Sequence, residues 1–520
     1  MKKAFRRSVK VMSVLMALMM LLCVAQPLAL AADANRVNYI IDNPYEEIDW
    51  DAWGEYKTQL HCHTTASDGF LTIDEFVRMH YAANFDIVAL TDHGTINQGW
   101  NVVPETVPLM RLIKKERTKM ADIIPIPQEE YEAYLDGTNE NRTFVTSDGI
   151  TLTRTKENGM LDVPKGIELN MATPFADCHL TGYFSDYGQG LAGVFGDYET
   201  PSAGVMEAGG FSYLSHVGEY VYIDKDSENY VGQPVDDYYA NKFARLFLDY
   251  QGSSLGMGIN SATDAHTRCD RILYDQVLQK TIPNGVVPWG NTFADSHSES
   301  SVNDAYTMCW MPELTLDAFR TCQEKGQYFS ISHFSNGVEL NGMEEMPGFV
   351  EQDVYDSKSY WLDNTPAVNR ITVDQNRDTI TVEAENANII TWVSNGNVIK
   401  RESIENGVAT LDLHNDELLD EAYLYVRFYI SGDNGINYAQ PMVLHEEGVE
   451  FTPVDVPVTR DLPYFLRKLV TVLDIIFFKL SPVIWAFKYF GLGYNPLERL
   501  DAEVKDGFND VVDGVTNLVQ

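Results

Sequence analysis

The run Tyr56-Lys57-Thr58-Gln59-Leu60 ends in His61-Cys62-His63, two imidazoles spaced i, i+2 on an extended segment. Side chains alternate along a strand with period two, so both rings project from the same side. Such a strand end supplies half a metal site before any loop contributes. A second apolar run, Phe85-Asp86-Ile87-Val88-Ala89-Leu90, ends in Thr91-Asp92-His93-Gly94. One His-X-His is weak evidence. Two ligand-bearing strand ends call for a fold that gathers strand termini at one place, as α/β barrels do.

The texture from Tyr56 to about Ser332 fits that demand, with short apolar runs alternating with helical stretches. Thr72-Ile73-Asp74-Glu75 opens a helix with a capping-box pattern. Strands are expected at 86–91, 166–170, 179–184 and 211–216, and helices at 238–250, 271–280 and 314–325. Alternating strands and helices imply a parallel sheet, open or closed. The long interval between His93 and Glu168 exceeds a simple βα unit. It holds a basic helix around Arg111 to Lys119 and a hairpin signal at Phe144 to Ile150, an insertion suited to lid the site or shape access. From about Pro366 the pattern becomes alternating strands with turns at Ser394-Asn395-Gly396-Asn397 and Asp433-Asn434-Gly435, a small β-sandwich.

The 520-residue chain carries a net charge of −38, which argues against a nucleic-acid partner, since such binding needs positive charge to displace counterions. An anionic substrate would need a local source of positive charge, which bound divalent cations supply. Residues 1–31 read as a secretory signal: Lys2, Lys3, Arg6, Arg7 and Lys10, then an apolar stretch, then Ala29-Leu30-Ala31. The expected location is therefore secreted or extracellular. Beyond Cys23 in that leader, Cys62, Cys178, Cys269, Cys309 and Cys322 are an odd set and no disulfide framework, though one bridge among the last three is allowed. Cys62 should face away from its flanking histidines. At the C-terminus, Leu469 to Phe490 is apolar but interrupted by Lys479 and Pro482, and 497–518 carries an amphipathic stripe. The expectation for 464–520 is helices that associate with a membrane surface or with a protein surface, including another copy of the chain.

Taken in order, Leu60-His61-Cys62-His63-Thr64, Ser67-Asp68-Gly69, Thr91-Asp92-His93-Gly94, Gly166-Ile167-Glu168, His179-Leu180-Thr181-Gly182-Tyr183 and Leu214-Ser215-His216-Val217-Gly218 resemble the PHP (polymerase and histidinol phosphatase) metal-dependent phosphoesterases. The resemblance covers Tyr56 to Ser332. It implies an α/β fold, a distorted (β/α)7 barrel over 50–345 with an insertion at 98–160; the residue patterns beyond it give an all-β sandwich at 355–450 and amphipathic helices at 460–520. The resemblance also implies two or three divalent ions (Zn, Mn or Fe), a small phosphorylated substrate, and hydrolysis of a phosphate ester by metal-activated water.

Carried over by motif, the ligands would be His61, His63, Asp68, His93, Glu168, His179 and His216, closed by an Asp-X-His pair. Glu168, His216 and Asp92 would carry the chemistry, with Asp92 either catalytic or a support behind the ligands. Two pairs qualify as the closing one, Asp264/His266 and Asp295/His297. The resemblance favours Asp295/His297, because Tyr274-Asp275-Gln276-Val277-Leu278 precedes it and Gly326-Gln327-Tyr328 follows. Arg154 and Arg268 are candidate phosphate contacts. Two other readings stay open: an amidohydrolase-like enzyme, for which Lys165 is close to the bridging position but off the motif, and a non-catalytic, metal-stabilised surface protein. His80, His333, His414 and His445 read as packed or solvated histidines.

Overall fold

In a computed structural model of the chain, the described residues are 37–104, 123–171, 178–188, 198–221, 233–260, 269–333, 364–415, 418 and 422–457. The leader, the Arg111–Lys119 segment, Asp264, His266, Arg268 and the 460–520 tail lie outside them.

In chain order, β1 (Tyr39–Asp42) and β2 (Gly54–Gln59) precede α1 (Ile73–Ala82) and β3 (Ile87–Val88). The insertion contributes α2 (Gln128–Asp136), β4 (Thr143–Val145) and β5 (Thr151–Thr153), and β6 (Leu161–Asp162) follows. Next come β7 (Ile167–Met171), β8 (Cys178–Tyr183), α3 (Glu199–Glu207), β9 (Phe211–Leu214), α4 (Asp237–Asp249), β10 (Ser254–Gly258), α5 (Asp270–Thr281) and β11 (Trp289–Asn291). After β12 (Ala305–Met311), α6 (Leu316–Lys325) and β13 (Tyr328–Ser332), the chain is all strand. These are β14 (Ala367–Asp374), β15 (Thr379–Glu385), β16 (Ile389–Ser394), β17 (Asn397–Ser403), β18 (Val408–Asp412), β19 (Tyr425–Gly432), β20 (Gly435–Tyr438) and β21 (Met442–Glu446).

Helix α1 starts where its capping box demands: Thr72 Oγ1 accepts from Glu75 N, and the Glu75 carboxylate accepts from Thr72 N. Its apolar stripe of Ile73, Phe76, Val77 and Met79 is buried. His80 is buried too, with Nδ1 against Phe76 O, and serves packing.

The site-bearing half of the molecule is two sheets that meet at their ends. One runs β11-β10-β9-β8-β7, with β9, β10 and β11 parallel and β8 antiparallel to both neighbours. In the other, β2 and β6 flank β3 in parallel, and β2 pairs antiparallel with β12. Isolated parallel bridges, Cys62 to Ser296 and His93 to Glu168, tie the two together. The strands therefore do not form one continuous hydrogen-bonded barrel, and among the described residues helices are fewer than one per strand. β3 has two residues and β11 three, too short for an unbroken ladder; beyond them the chain turns its polar side chains into the site.

The sandwich is continuous with this half, because β13 pairs with β20, extending the sheet through β19 and β21 to β1. A second layer, β14-β15-β18, packs on it through Ile371, Val382 and Leu411 against Trp392, Phe428 and Ile430. Buried Asp275 on α5 accepts from Arg427 Nε and Nη2 (2.8 and 2.7 Å) and from Tyr425 Oη (2.6 Å) on β19. Cys269, Cys309 and Cys322 are free buried thiols, so the disulfide allowed among them is absent. Cys322 Sγ instead donates to Gln327 O (3.1 Å), and Thr58 Oγ1 donates to Cys309 Sγ (3.4 Å). No helix among the described residues is long and apolar enough to cross a membrane.

Candidate metal centre

Ligand atoms converge where the two sheets meet. Three overlapping groups form: His61, His63, Glu168 and Asp295; Glu168, His179 and His216; and His63, Asp68, His93 and His297. In the first, His61 Nε2 lies 3.3 Å from both Glu168 Oε2 and Asp295 Oδ1, and His63 Nε2 lies 3.1 and 3.0 Å from the same oxygens. Two ligands each ~2.0–2.2 Å from one ion stand about 2.8–3.1 Å apart at a right angle and about 3.3–3.6 Å at a tetrahedral one, so these spacings suit a single cation. In the second, Glu168 Oε1 is 2.7 Å from His179 Nδ1 and 3.7 Å from His216 Nε2. In the third, Asp68 lies 3.4 Å from both His93 Nε2 and His297 Nε2. Glu168 belongs to two groups, with one carboxylate oxygen facing each.

Local structure explains these positions. The His61–His63 segment continues β2 past its last ladder residue, and Cys62 Sγ turns away to Ala89 O (3.0 Å). Glu168 enters from β7 opposite Thr181 of the antiparallel β8, and His179 enters from β8 two residues before Thr181, on the same face. Asp68 sits on a tight return in which Gly69 N donates to Thr64 O, and a Cβ on Gly69 would lie 2.1 Å from His63 O. His216 and Asp295 hold positive φ, 26° and 46°. Non-glycine residues adopt such angles at a cost of about 1–3 kcal/mol each, a mark of functional sites.

Partners on the far ring nitrogens fix the rings. His297 Nδ1 lies 2.7 Å from Asp295 O, leaving Nε2 toward Asp68. His216 Nδ1 lies 3.0 Å from Glu219 Oε2. His63 Nδ1 lies 3.3 Å from Ser67 Oγ, which donates to Asp92 Oδ1 at 2.7 Å. Such contacts orient ligands and raise their basicity. Glu219 was not singled out in the sequence; its i, i+3 spacing from His216 was the available signal.

Charge follows geometry. Burial pushes the Glu168 carboxyl up, yet His93, His179 and His61 outweigh it and hold it well below the usual carboxylate range. Asp295 is held low against burial by His61 and His63, and Asp68 by His93 and His297. Burial lowers His61 and His179. Burial also opposes the charge on His63 and His216, but their carboxylate partners raise both. Three ionised carboxylates thus face imidazoles that trade protons for cations readily. His61 Nε2, His63 Nε2, both Glu168 oxygens and Asp295 Oδ1 are buried and crowd together without hydrogen-bond geometry. Buried polar atoms so arranged are costly unless satisfied, and bound divalent cations would satisfy them. The donor set of imidazole and carboxylate suits Zn, Mn or Fe.

All nine expected ligands, Asp295 and His297 among them, lie in these groups. Asp92 does not. It neighbours His93 on an extended segment, so it points the opposite way; its oxygens accept from Thr64 N, Thr64 Oγ1, Ser67 Oγ and Asn97 Nδ2. Its place is behind the ligands, positioning the His63–Asp68 turn. Arg154 is no phosphate contact: its buried guanidinium donates to the carbonyls of Tyr81, Phe85, Asn158 and Gly159.

No protein-family model matches the chain. A 5'-3' exoribonuclease of Haemophilus influenzae is 52% identical over 40 residues, 8% of this chain and 15% of that protein. The chain thus spans a small part of that curated relative's length. Among solved structures, it is similar to a two-domain protein from Bacteroides vulgatus containing a predicted PHP-like metal-dependent phosphoesterase (13% identity, TM-score 0.34, 78% of this chain and 99% of that one). An amidohydrolase from Chromobacterium violaceum (14%, 0.24, 46% and 87%) and a lesion-specific endonuclease from Pyrococcus furiosus (10%, 0.27, 52% and 55%) are also similar. The functional reading rests on the side chains themselves.

Proposed function

We propose that the chain is a metal-dependent phosphoesterase of PHP type that hydrolyses a small phosphate ester. The observation that carries the reading is the convergence of nine imidazole and carboxylate residues into three groups, with Glu168 shared by two of them. When bound, divalent cations would acidify a water and neutralise phosphoryl oxygens. The chain's own contribution is placement. His61, His63 and Glu168 form a buried floor beside partly buried Asp295, while Asp68, His179 and His297 are more open, at the rim. Substrate enters at that rim, and Glu168 holds the two inner groups in register.

An amidohydrolase reading is disfavoured because Lys165, the lysine nearest the bridging position, pairs with Asp186 at the surface (2.6 Å). The excess of acidic residues favours a small ester over a polynucleotide. Export is part of the proposal and rests on the leader sequence; surface association rests on the 464–520 pattern. A panel of phosphate mono- and diesters, assayed with Zn, Mn or Fe, tests the function. Hydrolysis by the wild type that is lost in His61→Ala is expected; equal rates in both proteins would overturn it.

A further inference from the structure

A cavity of about 290 Å³ is lined by residues that follow two members of the rim group in the chain, and nothing in the reaction scheme above uses it. One wall is Phe70 and Leu71, which follow Asp68 and Gly69 in the chain; another is Ser298 and Glu299, which follow His297. These two walls are joined, as Phe70 N donates to His297 O (2.8 Å). The third wall is the insertion's hairpin tip, including Asp148. Two residues of chain span at most about 7 Å, so Phe70 lies within one short group's length of the Asp68 backbone.

The hairpin wall is held in place. At the tip, Ser147 N donates to Glu299 Oε2 (2.7 Å), and the turn is closed by Gly149 N to Thr146 O, with Gly149 at φ 81°. At the base, Arg154 binds the carbonyls of Tyr81 and Phe85, where α1 meets β3, and Leu152 packs into the same core as α1. Phe70 is a large apolar residue that remains 59% exposed.

We infer that this cavity is the leaving-group subsite of the proposed phosphoesterase and takes an alcohol bearing a neutral, flat aromatic ring with hydroxyl or amino donors at its edge. The inference rests on the phosphoesterase reading for its place in the reaction. The Phe70 ring offers a stacking surface, and the carboxylates of Asp148 and Glu299 accept hydrogen bonds from ring substituents. The same carboxylates repel a leaving group with a second negative charge.

The test compares three esters on the metal-loaded full chain: 4-aminophenyl phosphate, 4-carboxyphenyl phosphate and glycerol 2-phosphate. Phe70→Ala is expected to lower kcat/KM for 4-aminophenyl phosphate about three- to tenfold and to leave glycerol 2-phosphate unchanged. Asp148→Asn is expected to raise kcat/KM for the carboxyphenyl ester relative to the aminophenyl ester. Equal effects of Phe70→Ala on the aromatic and aliphatic esters would overturn the subsite. A second readout needs no turnover: Phe70→Trp fluorescence titrated with 4-aminophenol. Saturable quenching supports the subsite even if every ester proves inert, a result that would count against the phosphoesterase reading alone. Absence of saturable quenching overturns the subsite.

Discussion

The buried Asp275–Arg427 pair predicts how strongly the sandwich is welded to the metal-bearing half. Their side chains are 0% and 2% exposed, and two guanidinium hydrogen bonds of 2.8 and 2.7 Å join them. Arg427→Met strips those donors from a carboxylate that stays buried, and Asp275→Leu removes the carboxylate that takes both guanidinium bonds. Each single change is expected to cost about 3–5 kcal/mol, the penalty for an uncompensated buried charge. The double variant Asp275→Leu/Arg427→Met leaves no charge behind and should lie within about 1–2 kcal/mol of wild type. The coupling in the cycle is then several kcal/mol, far above the few tenths expected of independent sites. Urea unfolding followed by both tryptophan fluorescence and circular dichroism measures it. Singles costing under about 1 kcal/mol, or a double equal to their sum, would refute the reasoning.

Glu168→Gln should reduce bound metal by more than one ion per chain, because two groups share Glu168, whereas His216→Ala should remove about one; mass-spectrometric metal analysis separates the two outcomes. Asp92→Asn should weaken metal affinity about 10–100-fold with circular dichroism unchanged, since Asp92 positions the His63–Asp68 turn without joining a ligand group. Burial raises the Asp162 carboxyl to about 7, against about 3.9 when unfolded. The folded state therefore keeps its proton longer: the contribution is intact below about 4 and is lost as pH climbs to about 7, by roughly 4 kcal/mol at most. Asp162→Asn, which still accepts from Trp100 N, should flatten that decline in unfolding free energy between those pH values.

Part of the residue cluster was legible from local spacing, as with His61 and His63 at i, i+2; the choice of Asp295/His297 over the equally spaced Asp264/His266 came from the family resemblance. Helix starts were legible for a similar reason, since the capping box at Thr72 and Glu75 is a local pattern. What escaped depends on direction or on distant partners. Asp92 beside His93 carries the same motif whether it faces the site or the turn behind it; only the observed bonds to Thr64 and Ser67 decide. Arg154 reads equally as a surface cation or as a cap for the Tyr81 and Phe85 carbonyls. β1 is four residues whose burial alternates through Tyr39 and Ile41, too brief a signal to register, and its partner β21 lies at the far end of the described chain. The expected closed barrel is not met, because strands as short as β3 and β11 leave two sheets joined only by isolated bridges.

The central claim is that three overlapping ligand groups hold a cluster of divalent cations. Metal analysis by mass spectrometry on the purified chain, prepared without added metal or chelator, tests it most directly. The account predicts two to three Zn, Mn or Fe ions per chain, falling sharply in Glu168→Gln. One ion or none in the wild type, unchanged after reconstitution with each metal, would contradict it.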